Sequence, residues 1–143
     1  MHRLQVAGAE ILELDESYLP TGRRLGVAGT PFDLAQPKPI SSILTAAHPQ
    51  LTAIGLNQAG VLSGAPPALR LTSPGSQLEL CVETDQPCLQ LYSGLEPAIC
   101  PGGALVIEPQ GFINAVNELR FPSPWLEPGR RYERSTFYRF GSQ

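Results

Sequence analysis

One carboxylate stands out among the 143 residues. Glu108 follows the apolar run Ala104-Leu105-Val106-Ile107 and is followed at once by Pro109. A run that is apolar on both faces fits an interior strand covered above and below. Proline cannot continue a central ladder, so such a strand should end here. A glutamate at the mouth of a buried strand is partly desolvated, and desolvation raises a carboxylate's pKa toward the range of a general base. The alternative is a strand that ends at Ile107 and leaves Glu108 in solvent. Other catalytic signatures are missing: the sequence has no GxGxxG, P-loop, HExxH or GxSxG. A serine triad would need His2 or His48, and nothing in the sequence sets either beside a nucleophile and a carboxylate.

The cysteines offer no second chemistry. Cys81, Cys88 and Cys100 cannot all pair, and their spacings match neither a zinc ribbon nor a CxxC redox motif. They fit small apolar fillers in a reducing compartment, and no metal is expected. Net charge is −3, which supplies no field for a phosphate backbone and disfavours nucleic-acid binding. No segment approaches the roughly 20 apolar residues that cross a bilayer. The first thirty residues show no charged n-region with an apolar core. The expectation is a soluble cytoplasmic protein without nucleic-acid or membrane partners. Charged residues are only 16%, against about 25% in typical globular domains, so much of the surface is uncharged loop or is covered by something else.

The elements that must position Glu108 are short. With 14 glycines and 15 prolines, the chain leaves little room for long helices. Ser76 to Gln86 and Arg130 to Phe140 both alternate with period two. Leu78, Leu80 and Val82 share one face of the first; Tyr132, Thr136, Tyr138 and Phe140 share one face of the second. Such alternation marks half-buried strands. Leu4 with Val6, Leu69 with Leu71 and Leu89 with Leu91 add shorter ones. Turn clusters such as Leu19-Pro20-Thr21-Gly22, Ser73-Pro74-Gly75, Pro101-Gly102-Gly103 and Glu127-Pro128-Gly129 separate them. The pattern predicts an all-β antiparallel sandwich or barrel. Phe112 to Leu119 and Ser41 to His48 are candidates for single helical turns. Leu19 to Ile40, rich in proline and glycine, reads as a long loop packed over the core.

Several blocks, in order, resemble the aldose 1-epimerase (galactose mutarotase) family. They are Leu19-Pro20-Thr21-Gly22, Val27 to Asp33 (VAGTPFD), Pro37-Lys38-Pro39-Ile40, Gln90-Leu91-Tyr92-Ser93-Gly94 and Gly103 to Gln110 (GALVIEPQ). Ala115-Val116-Asn117, Phe121-Pro122-Ser123 and Leu126 to Gly129 with Tyr132 follow. The resemblance implies the family's mutarotase-like supersandwich, with residues 1–143 as the C-terminal part of the catalytic domain. It implies interconversion of the α and β anomers of free aldohexoses such as galactose or glucose, without metal or organic cofactor. Glu108 falls on the family's base, which takes the anomeric hydroxyl proton while a histidine protonates the ring oxygen.

Two departures from the family pattern matter. Gly55 to Leu62 reads GLNQAGVL where the family has Gly-x-Asp-His-x-x-Val-Leu, so Asn57 replaces a sugar-gripping aspartate and Gln58 a histidine. An asparagine still donates and accepts, but without charge-assisted bonds. The acid histidine and other upstream ligands have no counterpart here; His2 aligns downstream of that histidine, and His48 matches no motif and fits the surface. Gln110 and Asn114 are candidates to orient Glu108 or the sugar, or else to tie a loop. Tyr92 and Trp125 are candidates to stack on a sugar or to fill the core. The alternative function is a non-catalytic carbohydrate-binding or structural module, with an upstream half-domain or self-association covering its open edges.

Overall fold

A computed structural model describes residues 2–51, 55–93 and 103–142. Ten strands and one short helix follow in the order β1 (Arg3–Val6), β2 (Gly8–Leu14), β3 (Pro20–Gly26), β4 (Lys38–Pro39), α1 (Ile40–Leu44), β5 (Asn57–Leu62), β6 (Leu69–Ser73), β7 (Leu78–Thr84), β8 (Cys88–Tyr92), β9 (Val106–Gln110) and β10 (Thr136–Ser142). They form two five-stranded sheets, ordered β10-β7-β6-β1-β4 and β3-β2-β5-β8-β9. Every recorded strand pair is antiparallel. The expected sandwich is therefore present, and Cys100, Gly94 and Pro101-Gly102 lie outside the described residues.

Alternation in the sequence becomes burial in the fold. Leu4, Val6, Leu69 and Val82 of the first sheet meet Ile11, Leu89 and Leu91 of the second in one buried cluster. Phe32, Leu34 and Ile43, from the segment between β3 and β5, join it. That segment is tied in place: Val6 N donates to Leu34 O (2.9 Å), and Gln5 Nε2 to Ala35 O (2.9 Å). His48 belongs to this architecture. Its ring meets Phe32 edge-on at 5.1 Å, and its Nδ1 accepts from Gln50 N (3.1 Å). It is half-buried rather than a plain surface residue.

Three expectations need correction and one is narrowed. Leu19 to Ile40 is not one loop, because β3 and β4 lie within it. β3 carries no alternation; it becomes a strand by pairing with β2, Leu12 opposite Arg24 and Glu10 opposite Gly26. Glu13 fixes it further, accepting from Thr21 Oγ1 at 2.7 Å and Arg23 Nη2 at 2.5 Å. The second long window is a strand only over Thr136–Ser142, since β7 ends at Thr84 and offers residues 130–135 no partner. Ser135 instead exchanges bonds with Asp85, its N donating to Oδ1 at 3.0 Å. Residues 112–119 are helical over only one turn, in which Glu118 N donates to Asn114 O (3.1 Å); Asn114 itself, at φ 62°, keeps Phe112 and Ile113 out of it. Ala104 to Ile107 is not an interior strand: β9 runs Val106–Gln110 at the end of its sheet, with Pro109 inside it opposite Leu89. An outermost strand tolerates proline because its nitrogen can face away from the neighbour.

Candidate functional site

The second sheet has one face in the core and one turned away. Leu89 and Leu91 point inward, with Ile107 packed against the same cluster. Side chains alternate along a strand, and directly paired residues share a face. Cys88, Gln90 and Tyr92 of β8 therefore lie on the outer face. Register carries that face to Asn57, Ala59 and Val61 of β5 and to Val106, Glu108 and Gln110 of β9. Three of the four candidate residues, Asn57, Glu108 and Gln110, thus share one face of one sheet.

Part of this face is roofed. Ala115 and Phe121, with Phe112 and Ile113, close over Leu12 and Ala59 in a second apolar cluster. Arg24 stacks on the Phe112 ring at 4.8 Å. The roof is anchored to β3 by the fourth candidate. Asn114 Nδ2 donates to Pro20 O (3.0 Å), and its Oδ1 accepts from Asn117 Nδ2 (2.7 Å). Asn114 therefore ties the loop and is placed apart from Glu108. Glu118 and Arg120, an ion pair at 2.9 Å, cover Gly22. A Cβ there would stand 2.8 Å from the Arg120 guanidinium, and φ is +82°. This is the physical reason for glycine in the Pro20-Thr21-Gly22 block.

Beside the roof the face is polar and open. Glu108 is exposed, so β9 does not desolvate it as a buried strand mouth would. Gln90 lies directly opposite it on β8 and is 8% exposed. Its Nε2 donates to Asn57 Oδ1 at 2.7 Å, so the buried amide opposite Glu108 is bonded to Asn57. Two strand spacings, roughly 10 Å, separate β5 from β9. The start of β5 is locked to the end of β8, as Leu56 N donates to Ser93 Oγ (2.9 Å) and Ser93 N to Leu56 O (2.8 Å). Gly55, at φ +97°, gives the close approach that this lock needs, since a Cβ would stand 2.8 Å from Ser93 Oγ.

Gln90 is a residue that sequence reasoning did not single out as functional. A lone glutamine carries no motif, yet Leu89 and Leu91 facing inward already put it on the Glu108 side. Tyr92, half-buried opposite Asn57 and Val106, borders the same strip. Trp125 is 70% exposed. Gln58 points the other way from Asn57, buried between the sheets with its Nε2 donating to Leu12 O. Cys88 lies on the site's face at the far end of β8, and burial pushes its thiol up to about 12. It is held as a thiol and is a poor nucleophile. Among the described residues, no group of three His, Cys, Asp or Glu is placed to hold a metal ion. No helix among them is long and apolar enough to cross a membrane.

Such a face can place one carboxylate and two or three amides along a single polar ligand. Comparison with known proteins agrees with the blocks in the sequence. The aldose 1-epimerase family matches residues 1–139. Human galactose mutarotase is 30% identical, the match covering 97% of this chain and 43% of the relative. Aldose 1-epimerase of Escherichia coli K12 is 32% identical over 97% of this chain and 44% of that protein. An aldose epimerase homologue from C. elegans superposes with TM-score 0.84 and 29% identity, covering 99% of this chain and 46% of that one. A galactose 1-epimerase from Lactobacillus acidophilus gives 0.71 and 26%, over 99% and 44%. The chain thus spans less than half the length of the relatives it matches, and within that span it belongs to the aldose 1-epimerase family.

Proposed function

We propose that this chain carries the base side of a mutarotase site for a free aldohexose such as galactose or glucose. The observation that carries the reading is the juxtaposition of Glu108, Gln90 and Asn57 on one open sheet face. Glu108 removes the proton from the anomeric hydroxyl while an acid protonates the ring oxygen. The C1–O5 bond breaks, the aldehyde rotates about C1–C2, and the chain recloses on the opposite face of the carbonyl. Protons balance, because the acid recovers on reclosure what it gave on opening. Asn57 and Gln90 hold ring hydroxyls, and Gln110, which follows Glu108 on the same face, steadies the sugar beside it. His2 and His48 do not serve as the acid. His48 packs against Phe32, and His2 lies just before β1 in the other sheet. The ring-oxygen proton then comes from water or from a group outside these residues.

The test is the rate at which fresh α-D-galactose or α-D-glucose approaches anomeric equilibrium, followed by polarimetry. Acceleration over a protein-free blank is expected, with most of it lost in Glu108→Gln; a positioned base contributes typically 10²–10⁴-fold. A rate equal to the blank from folded protein, or one unchanged in Glu108→Gln, would sink the reading. Sugar binding without turnover would make the chain a carbohydrate-binding module.

A further inference from the structure

Asn57 Oδ1 accepts from Gln90 Nε2 at 2.7 Å. One lone pair of that oxygen is therefore occupied, and both Nδ2 hydrogens are left for a ligand. Asn57 is half-buried at the start of β5. It shares its strip of the sheet with Gln90, Tyr92, Val106, Glu108 and Gln110. Glu108 is the one carboxylate among these residues, and none of them is lysine or arginine. Glu108 lies two strand spacings away, roughly 10 Å, which exceeds the screening length of about 8 Å at physiological salt. The Asn57 end of the strip thus offers neutral donors and no charge of either sign.

The length of a sugar decides which of its groups meets those donors. Side chains stand roughly perpendicular to a sheet, so the tips of Glu108 and Asn57 keep about the separation of their strands. One hydrogen bond of roughly 2.8 Å at each end leaves about 4–5 Å between them, which one pyranose ring spans. With the anomeric hydroxyl on Glu108, Asn57 meets the far side of the ring, where the C6 group extends furthest. An N–H donor bonds a carboxylate about twice as strongly as a neutral oxygen, and nothing beside Asn57 on the strip repels a negative charge. A phosphate at C6 fits less well, because its larger charge calls for arginine or lysine, which the strip lacks.

We infer that the site prefers aldohexuronates to neutral hexoses, holding the C6 carboxylate on Asn57 Nδ2 and the anomeric hydroxyl on Glu108. This substrate class rests on the mutarotase reading above. A uronate keeps the free anomeric centre that ring opening needs, and its carboxylate takes no part in that step.

The purified chain is titrated with D-galactose, D-galacturonate and the neutral D-galacturonamide, followed by NMR. Galacturonate is expected to bind about fivefold more tightly than either neutral sugar. In Asn57→Asp, which keeps the oxygen that Gln90 bonds, the order should invert, with galacturonate losing at least about tenfold against a like charge. Galactose bound by the wild type as tightly as galacturonate would overturn the inference. So would a galacturonate affinity unmoved in Asn57→Asp, or galactose 6-phosphate preferred to galacturonate. In those cases a sugar still binds, and polarimetry with galactose reads the mutarotase chemistry separately. A folded chain that binds none of these sugars removes both readings. The comparison of galacturonate with its amide needs only the wild type, so it stands even where Asn57→Asp does not fold.

Discussion

Gln90 and Glu108 face each other across the β8–β9 ladder, and the Gln90 amide continues from there to Asn57 Oδ1 at 2.7 Å. The buried Gln90 amide fixes its spacing to Asn57, because it cannot turn without breaking a bond that water cannot easily replace, and the strand register sets Glu108 opposite it. The carboxylate end of this row is in solvent and the amide end is not.

Asn57→Asp follows from that row. The substitution keeps the oxygen that accepts from Gln90 Nε2 and replaces the Nδ2 donor by a charged acceptor. Hydrogen bonds to charged groups stabilise by about 1 kcal/mol more than neutral ones, or roughly fivefold in affinity. Galactose titrated into Asn57→Asp by NMR should bind about fivefold tighter than into the wild type. Equal affinity would show that residue 57 does not touch the sugar.

Gly22→Ala should be costly although it adds one methyl group. Left-handed backbone costs a non-glycine residue roughly 1–2 kcal/mol, and the new Cβ would also meet the Glu118–Arg120 pair. A loss of at least about 2 kcal/mol by urea titration is expected. Adding Glu118→Ala and Arg120→Ala together should recover the steric share and leave the backbone share.

Cys88 gives the fold an alkaline limit. Burial raises its pKa to about 12 in the folded chain, whereas an unfolded cysteine ionises near 8.5. Because the folded value is the higher one, the thiol's contribution is whole below about pH 8.5 and drains away as pH rises toward 12. The stability difference between wild type and Cys88→Ala should shrink from pH 8 to pH 10. In the native protein at pH 8, iodoacetamide should spare Cys88, as peptide mass mapping would show. Labelling of Cys88 as fast as in urea would contradict its burial.

The legible parts of this fold are those where two neighbouring residues decide a strand's orientation. Leu4 with Val6 and Leu89 with Leu91 announce their faces, and both pairs are buried. β3 is hidden because Thr21-Gly22-Arg23-Arg24 has no apolar alternation; its pairing with β2 and the Glu13 bonds create the strand. β9 misleads for the opposite reason. Ala104 to Ile107 is apolar enough for an interior strand, but position in the sheet order is a property of the whole topology, not of four residues. The site divides similarly. Family resemblance points to Glu108 and Asn57 directly. Asn114 differs because its role depends on Pro20, ninety-four residues away along the chain.

Four strands border the two sheets, β10 and β4 in one and β3 and β9 in the other, and Pro109 sets β9 apart from β10. β9 is five residues long with a proline at its fourth position, so its free side lacks a donor in mid-strand. β10 offers seven residues without any such interruption. A crowded or partly unfolded population would therefore add a foreign strand at β10 more readily than at β9. Replacing Pro109 by valine would restore the donor and open β9 to the same strand addition.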